Sequence, residues 1–249
     1  MAKKIRDDYG DDYARMLAGK IKALSPDFQA ARFFAALAAE SFTTRPFLAR
    51  MDVFARALEQ SLSGDYAARI ALFHKLLGDE LATETGMFTV GGWLWPLARY
   101  VERHGVEDFA VSVGFIRELT KRHTGEFAVR PLLRRFPDAM LAVMQTWSRD
   151  DNVHVRRLAS EGLRPRLPWA KKLPLALEHF AEYKAILTNL KDDPSRFVQK
   201  SVGNNLNDLF KDAPDKAREI ITEWRREELS KAAQWIIRHG TRRLKPDLD

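Results

Sequence analysis

The chain has 249 residues, of which 45% are hydrophobic and 30% are charged, and it contains no cysteine. This composition excludes an intrinsically disordered chain, a disulfide framework, a thiolate metal site and a thiol nucleophile. Lysine and arginine number 41 against 34 aspartate and glutamate residues, so the net charge of +7 favours a polyanion as partner.

Apolar residues recur at spacings of three and four along most of the chain, whereas alternation of apolar and polar residues is rare. This periodicity predicts an all-α protein. In chain order, the predicted helices span residues 11–24, 26–42, 46–62, 65–77, 92–103, 106–122, 126–135, 138–147, 152–163, 172–191, 195–211, 214–228 and 230–240.

Two pairs of similar phrases indicate an internal repeat. The phrase at 42–50 recurs at 127–135, and the phrase that begins at Asp150 recurs 42 residues later at Asp192. That spacing lies within the period of about 40 to 47 residues that is typical of HEAT and armadillo units. Because no linker rich in Pro, Gly or Ser interrupts the pattern, we predict one curved, HEAT-like stack of helix pairs over residues 1–249.

Three predicted helices have an apolar face opposite a basic or polar face. At 152–163, Val155, Leu158, Ala159 and Gly162 share one side, and Arg157, Ser160, Glu161 and Arg164 the other. At 195–211, Val198, Val202, Leu206 and Leu209 oppose Arg196, Lys200, Asn204 and Asn207. At 126–135, Val129, Leu132, Leu133 and Phe136 oppose Arg130 and Arg134, with Glu126 at the flank.

If these are the inner helices of consecutive pairs, their polar faces line one concave groove that suits a phosphate backbone. The groove would carry Arg130, Arg134, Arg157, Arg164, Arg196 and Lys200. The amides of Asn204, Asn205 and Asn207 can donate to phosphate oxygens or base edges. The alternative is that each face is simply solvated, with Arg157 and Glu161 forming a surface pair worth under about 0.5 kcal/mol.

Two carboxylates, Glu126 and Glu161, lie beside this basic strip. Because a carboxylate repels phosphate, its presence costs affinity unless it serves another purpose. One such purpose is catalysis, in which the acids stabilise positive charge on a sugar and position a water. The alternative is that they neutralise neighbouring arginines. Trp169 lies in an irregular segment, where its indole either contacts a sugar or base or plugs the space between repeats.

Other kinds of site lack their motifs. The six histidines are scattered without a pair at metal-ligand spacing, and no Gly-rich phosphate loop is present, so we expect no metal and no nucleotide cofactor. The apolar stretches are too short to cross a bilayer and no signal peptide is recognisable, so we expect a cytoplasmic protein with no membrane partner.

Three phrases together resemble the DNA alkylation repair family of HEAT-like glycosylases, in its AlkC branch. They span residues 125–131, 151–169 and 197–208, and the second is the most specific. The resemblance is strong over the middle and C-terminal parts and rests on helical pattern alone in the first hundred residues. In the third phrase Gly203 stands where Ala is commoner, and we expect little consequence.

The resemblance implies a monofunctional DNA glycosylase that removes N-alkylated bases, N3-methyladenine foremost and then N3-methylcytosine, without turning the damaged nucleotide into a protein pocket. It implies alkylated double-stranded DNA as partner, no cofactor, a monomer and a bacterial-type, nucleoid-associated location. Glu126 and Glu161 match the family's catalytic acids. The predicted DNA-binding residues are Arg130, Arg157, Arg164, Arg166, Trp169, Arg196, Lys200, Asn204 and Asn205.

Several relatives append an immunoglobulin-like domain that helps to grip DNA, so we expect affinity here to rest on the helical groove. Two alternatives stay open: a non-catalytic HEAT-like protein that binds DNA or senses damage, and a scaffold for acidic proteins.

Overall fold

The computed structural model describes residues 5–84 and 90–244, and within these ranges it contains helices and turns but no β-strand. The all-α prediction is therefore confirmed. The helices of these ranges are α1 (Asp11–Leu24), α2 (Ala30–Ala39), α3 (Phe47–Ser61), α4 (Tyr66–Leu76), α5 (Trp95–His104), α6 (Phe109–Thr120), α7 (Val129–Arg135), α8 (Pro137–Trp147), α9 (Val153–Glu161), α10 (Leu175–Glu178), α11 (Phe180–Asn189), α12 (Arg196–Asp212), α13 (Pro214–Trp224) and α14 (Lys231–Thr241).

Contacts between residues divide the chain into two compact units. The first unit comprises Met1–Ala82 and Gly86–Pro131, and the second comprises Thr83–Thr85 and Leu132–Asp249. The boundary falls inside α7, and each unit is described separately below.

The first unit is built from α1 to α6. Helix α3 packs against α2 and α5, and α4 packs against α1 and α6. Its core is aromatic: Phe33, Phe54, Phe73 and Phe115 are all fully buried. The buried side chain of Arg50 donates hydrogen bonds to four backbone carbonyl groups and so ties the short segments at residues 6–9 and 43–45 to α3.

The second unit is a stack of helix pairs in two layers. Helices α9, α12 and α14 pack side by side in one layer, while α8 packs against α11 in the other. Helix α13 joins α11 through Lys184 Nζ to Glu223 Oε2 at 2.7 Å and Trp224 Nε1 to Thr188 Oγ1 at 2.9 Å. Each pair buries its apolar face against the next, and this is the HEAT-like arrangement that the sequence predicts.

The repeated phrases of the second unit are helix starts. Asn152 and Ser195 accept hydrogen bonds from the first free N–H groups of α9 and α12. Each capping residue in turn donates its own N–H to an aspartate two residues earlier, Asp150 at 2.9 Å and Asp193 at 2.8 Å. Asp150 therefore corresponds to Asp193, one residue further on than alignment of the two Asp-Asp phrases suggests.

Most predicted helices lie within a few residues of the observed bounds, and two depart further. The segment 172–191 is broken at His179, whose φ of −121° and ψ of 53° leave the helical region between α10 and α11. The segment 26–42 shortens to α2, since Ser41 adopts a left-handed φ of 47°. The prediction fails at both places because apolar residues continue at helical spacing on each side of the break.

Candidate active site and nucleic-acid surface

Glu161, at the C-terminal end of α9, lies in the interface with α12 and is only 5% exposed. Its neighbour Ser160 is fully buried, and the two hydroxyls of Ser160 and Ser201 are 2.7 Å apart. Ser160 therefore does not line an open groove, because α12 covers that part of α9, and Glu161 lies at the edge of the same interface.

Arginines flank Glu161 on both sides. Its Oε1 lies 3.4 Å from Nη2 of Arg157 and 2.8 Å from Nη1 of Arg164. Burial alone would raise the pKa of Glu161, but the two guanidinium groups and a hydrogen bond from Ser201 outweigh burial and lower the pKa below its ordinary value. The carboxylate is therefore ionised at neutral pH.

Asp208 is a further charged residue of the cluster that Arg157, Glu161 and Arg164 form, and the sequence predictions do not include it. It is 3% exposed, and its Oδ2 accepts a hydrogen bond from Nε of Arg164 at 2.9 Å. Arg164 thus lies buried between two carboxylates and fixes both of them, whereas the sequence places it on the DNA-facing side. A helical wheel offers a signal for Asp208, because it follows Asn204 by one turn of α12.

Trp169 lies on the loop after α9 and is 54% exposed, so it is not a plug between repeats. Its φ of 65° is left-handed, a conformation that costs a non-glycine residue about 1 kcal/mol and clusters at functional sites. The loop is anchored by buried Leu167 and Leu173 and by Arg166, whose guanidinium contacts Asp212 at 2.9 and 2.5 Å. The indole is therefore presented to solvent by a fixed loop.

The exposed side of α12 carries Arg196 and Lys200, with Asn204 half-buried beside them. Phe197, also on α12, lies 5.0 Å from the guanidinium of Arg157, so this cation of α9 contacts an aromatic ring of α12. These residues lie where the sequence predicts a basic surface. Arg134, on the α7 segment of the second unit, is exposed as well.

Asn205 contradicts its predicted role. It is completely buried, its Nδ2 donates to the carbonyls of Ser160 at 2.9 Å and Ser201 at 3.0 Å, and its Oδ1 accepts from the Tyr183 hydroxyl at 3.0 Å. Asn207 is buried too, and its amide donates to a carbonyl of α14. Neither amide can reach DNA, because both satisfy polar groups between packed helices.

The first unit holds Glu126, in the turn before α7, where it is 2% exposed. Its Oε2 accepts a hydrogen bond from Oγ1 of Thr124 at 3.0 Å. The buried ring of Trp95 lies 5.2 Å from His123 and 5.9 Å from Phe127, so aromatic packing on both sides fixes the turn that bears the carboxylate.

Arg130, on the first turn of α7, is buried as well, so the prediction that it faces an open groove is wrong. Its positive charge acts inside the first unit. Burial raises the pKa of Glu102, and the cations of Arg99 and Arg130 oppose this rise.

Within residues 5–84 and 90–244, no cluster of three or more His, Asp or Glu side chains is placed to hold a metal ion. Within the same ranges, no helix is long and apolar enough to span a bilayer.

Comparison with known proteins assigns the family. The model of the family described as DNA alkylation repair enzyme matches residues 102–244. The chain belongs to this family. It is similar to alkylpurine DNA glycosylase AlkC of Pseudomonas fluorescens, whose structure was solved bound to DNA containing an abasic site analog. The two sequences are 33% identical and the structures superpose with a TM-score of 0.85. The match covers 98% of this chain and 65% of AlkC.

A second relative of the chain is the uncharacterized protein YhaZ of Bacillus subtilis strain 168. It is 33% identical over 240 residues, which are 96% of this chain and 64% of YhaZ. The chain thus spans slightly less than two thirds of both relatives. The resemblance inferred from the three sequence phrases is confirmed.

Proposed function

We propose that the chain is a DNA glycosylase that hydrolyses the N-glycosidic bond of cationic N-alkylated bases in duplex DNA, N3-methyladenine foremost and then N3-methylcytosine. The observation that carries this proposal is the ionised carboxylate of Glu161, buried between two arginines in a chain that shares 33% identity with the alkylpurine glycosylase AlkC. We further propose that it acts as a monomer, without metal or organic cofactor.

The chemistry requires negative charge near the sugar. An N3-alkylated base already carries a positive charge, and the electron pair of the breaking C1′–N bond neutralises it, so no general acid is needed. The deoxyribose then carries the positive charge, and water adds at C1′ and loses a proton. Ionised carboxylates stabilise such a cation when they are held in place before the reaction. Glu161 fits this role in the second unit, and Glu126 is proposed for it in the first.

The same chemistry removes the need to extrude the lesion. Most glycosylases turn the target nucleotide into a pocket, where they can hydrogen-bond the leaving base. A cationic base leaves unaided, so we propose that the lesion is read beside Trp169 without entering a pocket. Arg157, Arg196, Lys200 and Asn204 would bind phosphates around it.

Glu161→Gln tests the proposed role of this carboxylate. We expect the single-turnover rate of base release from methylated duplex DNA to fall by about a hundredfold or more, since one preorganised charge-stabilising group is lost. Affinity for undamaged duplex should be kept or rise, because a negative charge is removed. Chromatography of the released free base measures the rate, and circular dichroism checks the fold.

Glu223→Gln is the matched control, since it makes the same change at a surface ion pair with Lys184. It should leave both rate and affinity unaltered. An unchanged rate for Glu161→Gln would reject the proposed role. Wild-type protein that binds DNA but releases no base would favour the alternative of a non-catalytic DNA-binding protein.

A further inference from the structure

Helix α14 packs beside α12 and extends its exposed basic side, where the proposed function already places phosphate contacts. We call it the α12/α14 surface, and it consists of Arg196, Lys200, Asn204, Trp235, His239 and Arg242. The sequence predictions include three of these residues, all on α12, and none of those on α14.

Aromatic and amide groups hold the cations of this surface in place. The guanidinium of Arg196 lies 4.1 Å from the ring centroid of Trp235, which in turn stacks on His239 at 4.8 Å with an interplanar angle of 11°. Nε2 of His239 and Nη2 of Arg242 both lie 3.1 Å from Oδ1 of Asn204. Because that oxygen takes both N–H groups, the amide nitrogen of Asn204 is left to donate to a ligand.

Within the described residues, none of these three cations is in direct contact with an acid. Among the described residues, no carboxylate oxygen lies within 4.0 Å of Arg196, Lys200 or Arg242. Cation–π and amide contacts position a positive charge but leave it uncompensated, which is the arrangement that an anionic partner completes.

The opposite layer of the same unit is different. There Lys184 pairs with Glu219 and Glu223, Lys216 with Glu219, and Arg218 with Asp215. The cations of α11 and α13 therefore have acidic partners, whereas Arg196, Lys200 and Arg242 have none within 4.0 Å among the described residues.

His239 helps to fix this surface rather than adding charge to it. Burial, together with the positive charges of Arg242 and Lys200, lowers the pKa of His239 to about 4. The ring is neutral at physiological pH, so its Nε2–H orients Asn204 while its face supports Trp235.

We propose that the α12/α14 surface binds the phosphate backbone of duplex DNA, with Arg196 and Arg242 contacting phosphates and Asn204 donating its amide to a phosphate oxygen. This inference rests on the proposed function in assuming that the anionic partner is DNA. It makes α14 a third DNA-contacting helix beside α9 and α12.

The test is the affinity for undamaged duplex DNA at several salt concentrations. We expect Arg242→Ala to weaken binding about three- to tenfold and to reduce the slope of log K against log salt by about 1, as for the loss of one phosphate contact. Arg242→Lys should retain the slope. Arg218→Ala, which removes the same charge from α13, should change neither quantity.

Single-turnover base release at saturating protein separates this proposal from the glycosylase proposal. If Arg242→Ala loses affinity while the wild type releases no base, the α12/α14 proposal stands and the glycosylase proposal fails. If the wild type releases base and Arg242→Ala binds DNA as Arg218→Ala does, the α12/α14 proposal is wrong and the glycosylase proposal stands.

Discussion

At the scale of single residues, the buried chain Arg157, Glu161, Arg164 and Asp208 alternates in sign. Buried charges are costly unless each one is paired, and this alternation satisfies both carboxylates with short contacts. The consequence is that the charge on Glu161 is fixed before any DNA binds. A carboxylate held in this way needs no rearrangement when positive charge develops on a nearby sugar.

The lowered pKa of Glu161 makes stability depend on pH. In the unfolded chain its pKa is the ordinary 4.5, and in the folded protein it is lower, so the carboxylate contributes stability above pH 4.5 that is lost as the pH falls through the folded-state value. We expect the free energy of unfolding of the wild type, measured by urea titration, to fall more steeply below pH 4.5 than that of Glu161→Gln. Parallel pH profiles would show that the ion pairs do not stabilise the fold.

At the scale of helices, the crossing of α12 and α14 depends on two glycines that face each other. A Cβ on Gly203 would lie 3.1 Å from the carbonyl oxygen of Ile236 and 2.9 Å from Cδ2 of His239, and one on Gly240 would lie 2.7 Å from Cβ of Leu206. The expectation that Gly203 differs from Ala with little consequence is therefore wrong, because backbone of α14 occupies the space that a methyl group needs.

Gly203→Ala should push α14 away from α12. We expect the free energy of unfolding to fall by about 1–3 kcal/mol, as for overpacking of a close contact. DNA affinity should fall as well, since His239 and Asn204 would separate. The control is Gly114→Ala in α6, where nothing lies within 4 Å of the added Cβ and the substitution should stabilise by roughly 0.5–1 kcal/mol. Equal effects of the two substitutions in urea unfolding would contradict this account.

For the molecule as a whole, the net charge of +7 indicates that the partner is negatively charged but not where on the protein it binds. Interactions between exposed charges are screened beyond about 10 Å at 0.1 M salt, so only cations near the DNA contribute strongly. The second unit pairs the cations of α11 and α13 with acids, whereas Arg196, Lys200 and Arg242 form no ion pair within the described residues.

Two double variants with the same net charge test whether DNA affinity depends on the total charge of the protein or on where the charges lie. Lys216→Ala with Arg218→Ala, and Arg196→Ala with Arg242→Ala, each lower the net charge by two. We expect the first pair to change affinity for undamaged duplex less than about twofold and the second to weaken it by tenfold or more at about 0.1 M salt. Equal losses in fluorescence anisotropy titrations would show that total charge alone governs binding.

Local sequence patterns are sufficient to place most of the helices, the repeat and the family. Period-3.6 patterning places α1 at its observed bounds, Asp11–Leu24, and the three phrases identify the family and single out Glu161. Tertiary structure alone decided which polar side chains are interior. A helical wheel separates apolar from polar faces, but an inner helix of a stack touches neighbours on several sides, so Asn207 and Arg130 are buried despite lying on polar faces. The same packing brings α14 beside α12, because two glycines let their backbones approach.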